Sequence, residues 1–215
     1  MKNSPSRSWL LTPKELVIVG VIGVLTSLVD HELEQFLLPY FANLQNQIHL
    51  FDYTGGPVVG DLLLVWLQYG GVLAAFLIRK PGAGTIAMTV NGFIQVYVNG
   101  IHQPHLLYGV TGLGADLVFA VFRYRRYDLW VAGLAGTASE VFWYPIVYLT
   151  HGVYLYPVTL IITDLVVRIF ASFVGNGLLG AVIGFIILSL FSSAKARAPK
   201  NGFGSAEHLN VERTI

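Results

Sequence analysis

Asn91, Gln95 and Asn99 recur every fourth residue, a spacing that stacks three side-chain amides on one face of a helix. Glu140, Tyr144 and Tyr148 repeat that interval with Trp143 beside them, and Asp164 and Arg168 form a further i,i+4 pair. Asp116 stands in the run TGLGAD, and Asp61 and Gln68 are the polar members of another apolar stretch. An amide offers a donor beside an acceptor, and an aromatic face takes a flat ring or a cation. A carboxylate in apolar surroundings is protonated, paired, or held for a cationic ligand. Together they sketch a polar cavity open to the exterior. Each residue also has a plainer use. Amides bridge helices, Asp164 with Arg168 makes a structural ion pair, Asp116 packs against another helix, and Trp143 and Tyr148 join an interfacial aromatic belt. Glu140 has no basic residue within one turn of its own helix, so it carries the strongest expectation of meeting a ligand.

The sequence is poor in signs of bond-making chemistry. It has no cysteine, which removes a thiol nucleophile, thiolate metal sites and disulfides. No G-x-x-x-x-G-K-[ST] loop is present, so ATP is not hydrolysed by that route. His31, His49, His102, His105 and His151 come from three loops without an i,i+4 pair and read as neutral interfacial residues, not as a metal centre. An intramembrane enzyme using Glu140, Asp164 and His151 as acid and base groups is a rival that no catalytic motif supports. No catalytic residue, cofactor or metal is assigned.

The elements that position these residues follow from charge. With 54% hydrophobic and 12% charged residues, the chain has the composition of an integral membrane protein. Its basic residues fall into four clusters: Lys2, Arg7 and Lys14; Arg79 and Lys80; Arg123, Arg125 and Arg126; and Lys195, Arg197, Lys200 and Arg213. Between clusters there is room for two crossings and a loop without Lys or Arg. The positive-inside bias then gives an all-α bundle of six transmembrane helices with both termini cytoplasmic. Only Arg168 lies inside an apolar segment.

The expected organisation is a cytoplasmic N-terminus over residues 1–13, one transmembrane substrate-binding domain over 14–191, and a disordered cytoplasmic tail over 192–215. The first span begins near Lys14, and the external loop from Ala42 to Gly56 is long enough to act as a lid. The second span runs from about Pro57 to Ile78. The last apolar segment, Tyr156 to Phe191, is over-long and must tilt, break near Gly175–Gly177, or extend past the bilayer. Gly23 and Ser27, with Gly20 nearby, give the first helix a small-residue face for close helix approach.

Several longer runs carry a family resemblance. FLIRKPGAG, a polar third helix ending in NG, GLGADLVFAVFRYRRYDLWVAGLAG and ITDLVVRIFASFVGNGLLGAVIG together resemble the YkoE-type substrate-binding (S) subunits of energy-coupling-factor (ECF) transporters, over most of residues 14–190. The resemblance implies a six-helix protein of the cell membrane that captures thiamine or its hydroxymethylpyrimidine precursor outside, without altering it. Delivery then requires a transmembrane coupling subunit and two ATPase subunits. It also implies that Gly20, Gly23 and Ser27 face the coupling subunit. The ligand set expected on this basis is Asn91, Gln95, Asn99, Asp116, Glu140, Trp143, Tyr144, Tyr148, Asp164 and Arg168. Related metal-uptake subunits begin with Met-His, whereas the second residue here is Lys2. Family members often carry carboxylates on the third helix, and the neutral Asn91 and Gln95 here shift the expectation slightly toward hydroxymethylpyrimidine or a mixed specificity. A self-sufficient secondary transporter or channel with Asp116 or Glu140 as a proton site is the alternative from another class, although no internal repeat supports it.

Overall fold

The computed structural model of the chain describes residues 10–47, 49–50, 53–54, 68–100 and 103–197. Helix α1 (Pro13–Gln47) opens on a capping box. The Thr12 amide donates to Glu15 Oε2 at 2.7 Å, and the Glu15 amide donates to Thr12 Oγ1 at 3.3 Å, with Pro13 in the first turn. The helix passes through Pro39 and ends at Gln47, so Ala42 to Gln47 of the expected loop are helical. At 1.5 Å per residue it is roughly 52 Å long, well beyond a hydrocarbon core of about 30 Å. Strand β1 (His49–Leu50) then pairs antiparallel with β2 (Tyr53–Thr54), His49 opposite Thr54 and Leu50 opposite Tyr53. The rest of that loop, Asp61, and the second span before Gln68 lie outside the described residues, as does the tail after Arg197.

Helix α2 (Gly70–Ile78) stops at Arg79, whose φ of 58° is left-handed and whose amide returns to the Ala75 carbonyl. Helix α3 (Ala83–Tyr97) follows. A 3-10 turn (Gln103–Tyr108) runs directly into α4 (Gly109–Val121), and α5 (Leu129–Thr150) starts on an Asp128 side-chain cap. After a second 3-10 turn (Val153–Leu155), α6 (Val158–Ser172), a π-helical stretch (Phe173–Leu179) and α7 (Gly180–Arg197) form one long run. At Gly175–Gly177, one of the places where a break was expected, the helix widens into the π stretch and continues. Ser192 to Arg197, expected in a disordered tail, are helical.

Helix α3 packs against α1, α2 and α4, while α5 packs between α4 and the π stretch. Backbones come close where side chains vanish. A Cβ on Gly112 would meet the Gly84 carbonyl, and one on Gly177 would meet the Ala132 carbonyl. The apolar core gathers Phe76, Ala115, Phe119, Ala132 and Ala181.

The basic turns converge on one end of the bundle. Lys80 Nζ reaches Glu15 Oε2 at 2.7 Å and the Leu10 carbonyl at 3.0 Å, tying the start of α1 to the α2–α3 turn. Arg79 lies over the Tyr127 ring at 4.6 Å, and Leu188 of α7 packs on the cluster that holds Tyr124. The Tyr124 hydroxyl donates to the Asp116 carbonyl at 3.0 Å, and burial pushes that phenol well above the ordinary tyrosine range. At the opposite end, the segments around Asn99, His105 and His151 contain no Lys or Arg.

Outside the core the surface is apolar: α1 alone exposes Leu16, Val17, Val21, Leu25, Val29 and Phe36. Three helices among the described residues are long and apolar enough to cross a membrane: Pro13–Leu37, Pro104–Val121 and Val158–Ser192. Apart from the two-residue strand pair the described chain is helical, and its outward face is that of a membrane protein. Helices α3 and α5 are not among those three, and they carry the amide and Glu–Tyr stripes.

Candidate ligand-binding site

Two buried polar groups gather the candidate residues. On one side, α5 turns Glu140 and Tyr144 toward α6. Arg168 Nη1 donates to Glu140 Oε1 at 2.9 Å, and Arg168 Nε donates to Asp164 Oδ2 at 3.2 Å. All three side chains are buried, and Arg168 lies 5.8 Å from the Tyr144 ring centre. The Tyr144 hydroxyl donates to the Ile161 carbonyl at 3.2 Å, fixing the ring against α6. Glu140 is therefore not the unpaired carboxylate its own helix implied. Its partner comes from α6, where the i,i+4 spacing already tied Arg168 to Asp164. Two carboxyl groups share one guanidinium, a formal excess of one acid over base, and Glu140 Oε2 has no hydrogen-bond partner among the described residues. Beneath them Ser172 Oγ donates to the Gly136 carbonyl at 2.9 Å and accepts from Asn176 Nδ2 at 2.8 Å.

On the other side the amide stripe of α3 meets α1. Asn91 Nδ2 donates to Thr26 Oγ1 at 3.1 Å and to Asp30 Oδ2 at 3.2 Å. Gln95 Nε2 donates to the Ser27 carbonyl at 3.4 Å, and Asn99 Nδ2 donates to Gln95 Oε1 at 3.2 Å. The stripe is real, but much of its hydrogen-bonding capacity is spent on α1. Of the three residues expected at a partner interface, Gly23 and Ser27 are buried in this α1–α3 contact, where a Cβ on Gly23 would meet the Ala87 carbonyl and Val90. Only Gly20 has open space around it.

Tyr108 joins the two sides. It lies within electrostatic reach of Asp30 on one hand and of Glu140 and Arg168 on the other. Its ring packs edge-on to Trp143 at 4.8 Å and against His105 at 4.5 Å. Gly92 permits this, since a Cβ there would meet the His105 carbonyl. Trp143 is buried with Val147 and Val153, and Tyr148 lies 6.4 Å from Tyr144 and 6.0 Å from Tyr154.

Asp116 belongs elsewhere. Its carboxylate accepts from the Gly84 amide at 3.2 Å, the Thr85 amide at 2.9 Å and Thr85 Oγ1 at 2.7 Å, capping the start of α3 from α4. These contacts give it the plainer use named for it, packing against another helix, near the basic end. Buried Asp30 and half-buried Tyr108 are the candidate residues that sequence reasoning missed. The signal for Asp30 was its position one helical turn after Thr26, on the same face. An apolar groove of about 350 Å³, lined by Val118, Phe122, Leu134, Ala138 and Phe142 among others, lies between α4 and α5 and holds none of these polar groups. Among the described residues, no three His, Asp or Glu side chains form a group able to hold a metal ion.

Comparison with known proteins places this arrangement. The chain is 29% identical over 180 residues to YkoE of Bacillus subtilis (strain 168), a protein described as an HMP/thiamine permease, covering 82% of this chain and 83% of that protein. A solved crystal structure of an S-component of an ECF transporter superposes with a TM-score of 0.67 at 26% identity, covering 87% of this chain and 94% of the other. Residues 14–142 match the family described as ABC-type cobalt transport system, permease component. With more than half its length inside that match, the chain belongs to this permease-component family, as a YkoE-type S subunit.

Proposed function

We propose that the chain is the substrate-capture subunit of an ECF-type vitamin uptake transporter and binds thiamine, its hydroxymethylpyrimidine precursor, or both. S components are substrate-binding membrane proteins and not enzymes, so the site holds its ligand without reacting with it. The observation that carries the ligand class is the nature of the unmet groups. Asp30 Oδ1, Asn91 Oδ1 and Glu140 Oε2 are buried, lack a partner among the described residues, and are all acceptors. A ligand that brings donors satisfies them, and one that also brings positive charge matches the formal excess of two carboxyl groups over cations. Thiamine has an exocyclic amine and a thiazolium. Its precursor has the amine alone. The excess charge thus favours thiamine over the neutral precursor, a change from the balance implied by the amides of α3.

The proposed architecture is a six-span bundle of the cell membrane over residues 14–191, with the basic end and both termini cytoplasmic. Gathering of the described basic turns at one end supports that orientation. The site then opens outward near Asn99, Tyr148 and the β1–β2 hairpin. A coupling subunit and two ATPase subunits would supply the energy, since the chain has no nucleotide loop.

Native mass spectrometry and calorimetry of the purified chain, followed by uptake in liposomes with and without partner subunits, test the reading. Thiamine or its precursor should bind to the chain alone, and accumulation should need the partners and ATP. Uptake by the chain alone would instead establish a secondary transporter.

A further inference from the structure

Asp30 has a feature the other buried carboxylates lack. Glu140 and Asp164 share Arg168, and Asp116 caps a helix, but no Lys or Arg side chain lies within ion-pair distance of Asp30 among the described residues. It is only 5% exposed, and Asn91 beside it is fully buried. The Asn91 amide nitrogen is committed to Asp30 Oδ2 and Thr26 Oγ1, which fixes the orientation of the amide. Two oxygens of this hydrogen-bonded pair are left over, Asp30 Oδ1 and Asn91 Oδ1, both without partners among the described residues. With Asp30 ionised, both oxygens are acceptors and match a planar amine that brings two N–H bonds. A carbonyl placed there would set acceptor against acceptor.

We propose that Asp30 and Asn91 form a subsite that takes the exocyclic amine of the substrate's aminopyrimidine, while the Glu140–Arg168–Asp164 group across Tyr108 faces the other end of the ligand. This deepens the function proposed above and rests on it. The excess carboxylates at the two ends then divide the recognition between them, Asp30 selecting for the amine and Glu140 for the cation. Tyr108, in reach of both, lies between the two halves of the ligand.

The probes are thiamine, hydroxymethylpyrimidine, and oxythiamine, in which a ring carbonyl replaces the amine. They are titrated calorimetrically into the purified full chain in detergent. Wild type should bind oxythiamine about a hundredfold or more weaker than thiamine, because the carbonyl leaves two buried acceptors unmet. Asp30→Asn should weaken thiamine and hydroxymethylpyrimidine alike by about 10- to 100-fold. It should also narrow the gap to oxythiamine, since the new amide can donate to the carbonyl. A merely structural Asp30 would not alter that selectivity. Equal wild-type affinity for thiamine and oxythiamine overturns the subsite without any variant, so the proposal stays testable even if Asp30→Asn does not fold. A folded Asp30→Asn that keeps the full gap, or that spares one ligand, also overturns it and leaves the functional reading intact. Wild type that binds neither thiamine nor its precursor removes the functional reading and the subsite with it.

Discussion

Arg168 on α6 reaches Glu140 on α5 at 2.9 Å while holding Asp164, one turn earlier on its own helix, at 3.2 Å. One guanidinium therefore fastens α5 to α6, and the group holds one acid more than it holds bases. The first consequence concerns the ligand. Glu140→Gln removes the excess charge and should weaken thiamine binding by about 1–3 kcal/mol, the range for hydrogen bonds involving a charged group. The neutral precursor should lose much less. Titration of both ligands against wild type and variant checks this, and equal losses would assign Glu140 to the pyrimidine or to packing.

Removing the cation is a different experiment. Arg168→Met strands Glu140 and Asp164 as two buried carboxyl groups and should destabilise the protein by about 3–5 kcal/mol. Adding Glu140→Gln to that variant should recover part of the loss. Thermal unfolding in detergent reads both effects, and an unchanged melting temperature for Arg168→Met would show that the three groups are not coupled.

Asp116 should behave as a helix cap and not as a ligand residue. Asp116→Ala frees the Gly84 and Thr85 amides at the start of α3 and should lower stability by about 1–2 kcal/mol. Affinity for thiamine, measured on the folded fraction, should stay within about twofold, the spread of a site not touched directly. A large affinity loss at unchanged stability would return Asp116 to the site.

Gly20 and Gly23 separate two uses of small residues on α1. Gly23→Leu drives a side chain into the Ala87 carbonyl and Val90, and should reduce the yield of folded protein. A Cβ added at Gly20 meets nothing within 4 Å, so Gly20→Leu should fold and bind ligand normally. If Gly20 lies on the face offered to the coupling subunit, the same variant should lose uptake in the reconstituted complex. Normal uptake would remove Gly20 from that interface.

The absence of native cysteine makes the proposed topology directly measurable. Single cysteines at Arg125 and His151 should react with a membrane-impermeant thiol reagent from opposite sides, Arg125→Cys only after the inner face is opened. Labelling of Arg125→Cys from outside intact cells would overturn the six-span arrangement.

Much of this protein is legible without coordinates because period and charge are local properties of a chain. The four-residue interval predicts that Asn91, Gln95 and Asn99 share a face, and the hydrogen bonds to α1 show that they do. The spacing of Asp164 and Arg168 likewise predicts their contact. Which helix a stripe faces is not a local property. Glu140 looks unpaired from within α5 because its cation lies 28 residues away on α6. Asp116 looks like an intramembrane ligand until α3 presents its first amides to it. Gly23 and Ser27 announce a close helix contact, but only packing decides that the neighbour is the chain's own α3. Asp30 stands in VDHELEQ, which reads as the less apolar extension of the first span. Its burial comes from packing of that turn against Asn91 of α3. Sequence thus determines the helices, their polar faces and the basic end. Tertiary structure decides which of the buried polar groups are matched within the protein and which are not, because a charge inside a bundle is neutralised by whatever comes within a few ångströms, and that neighbour is chosen by packing between helices far apart in the chain.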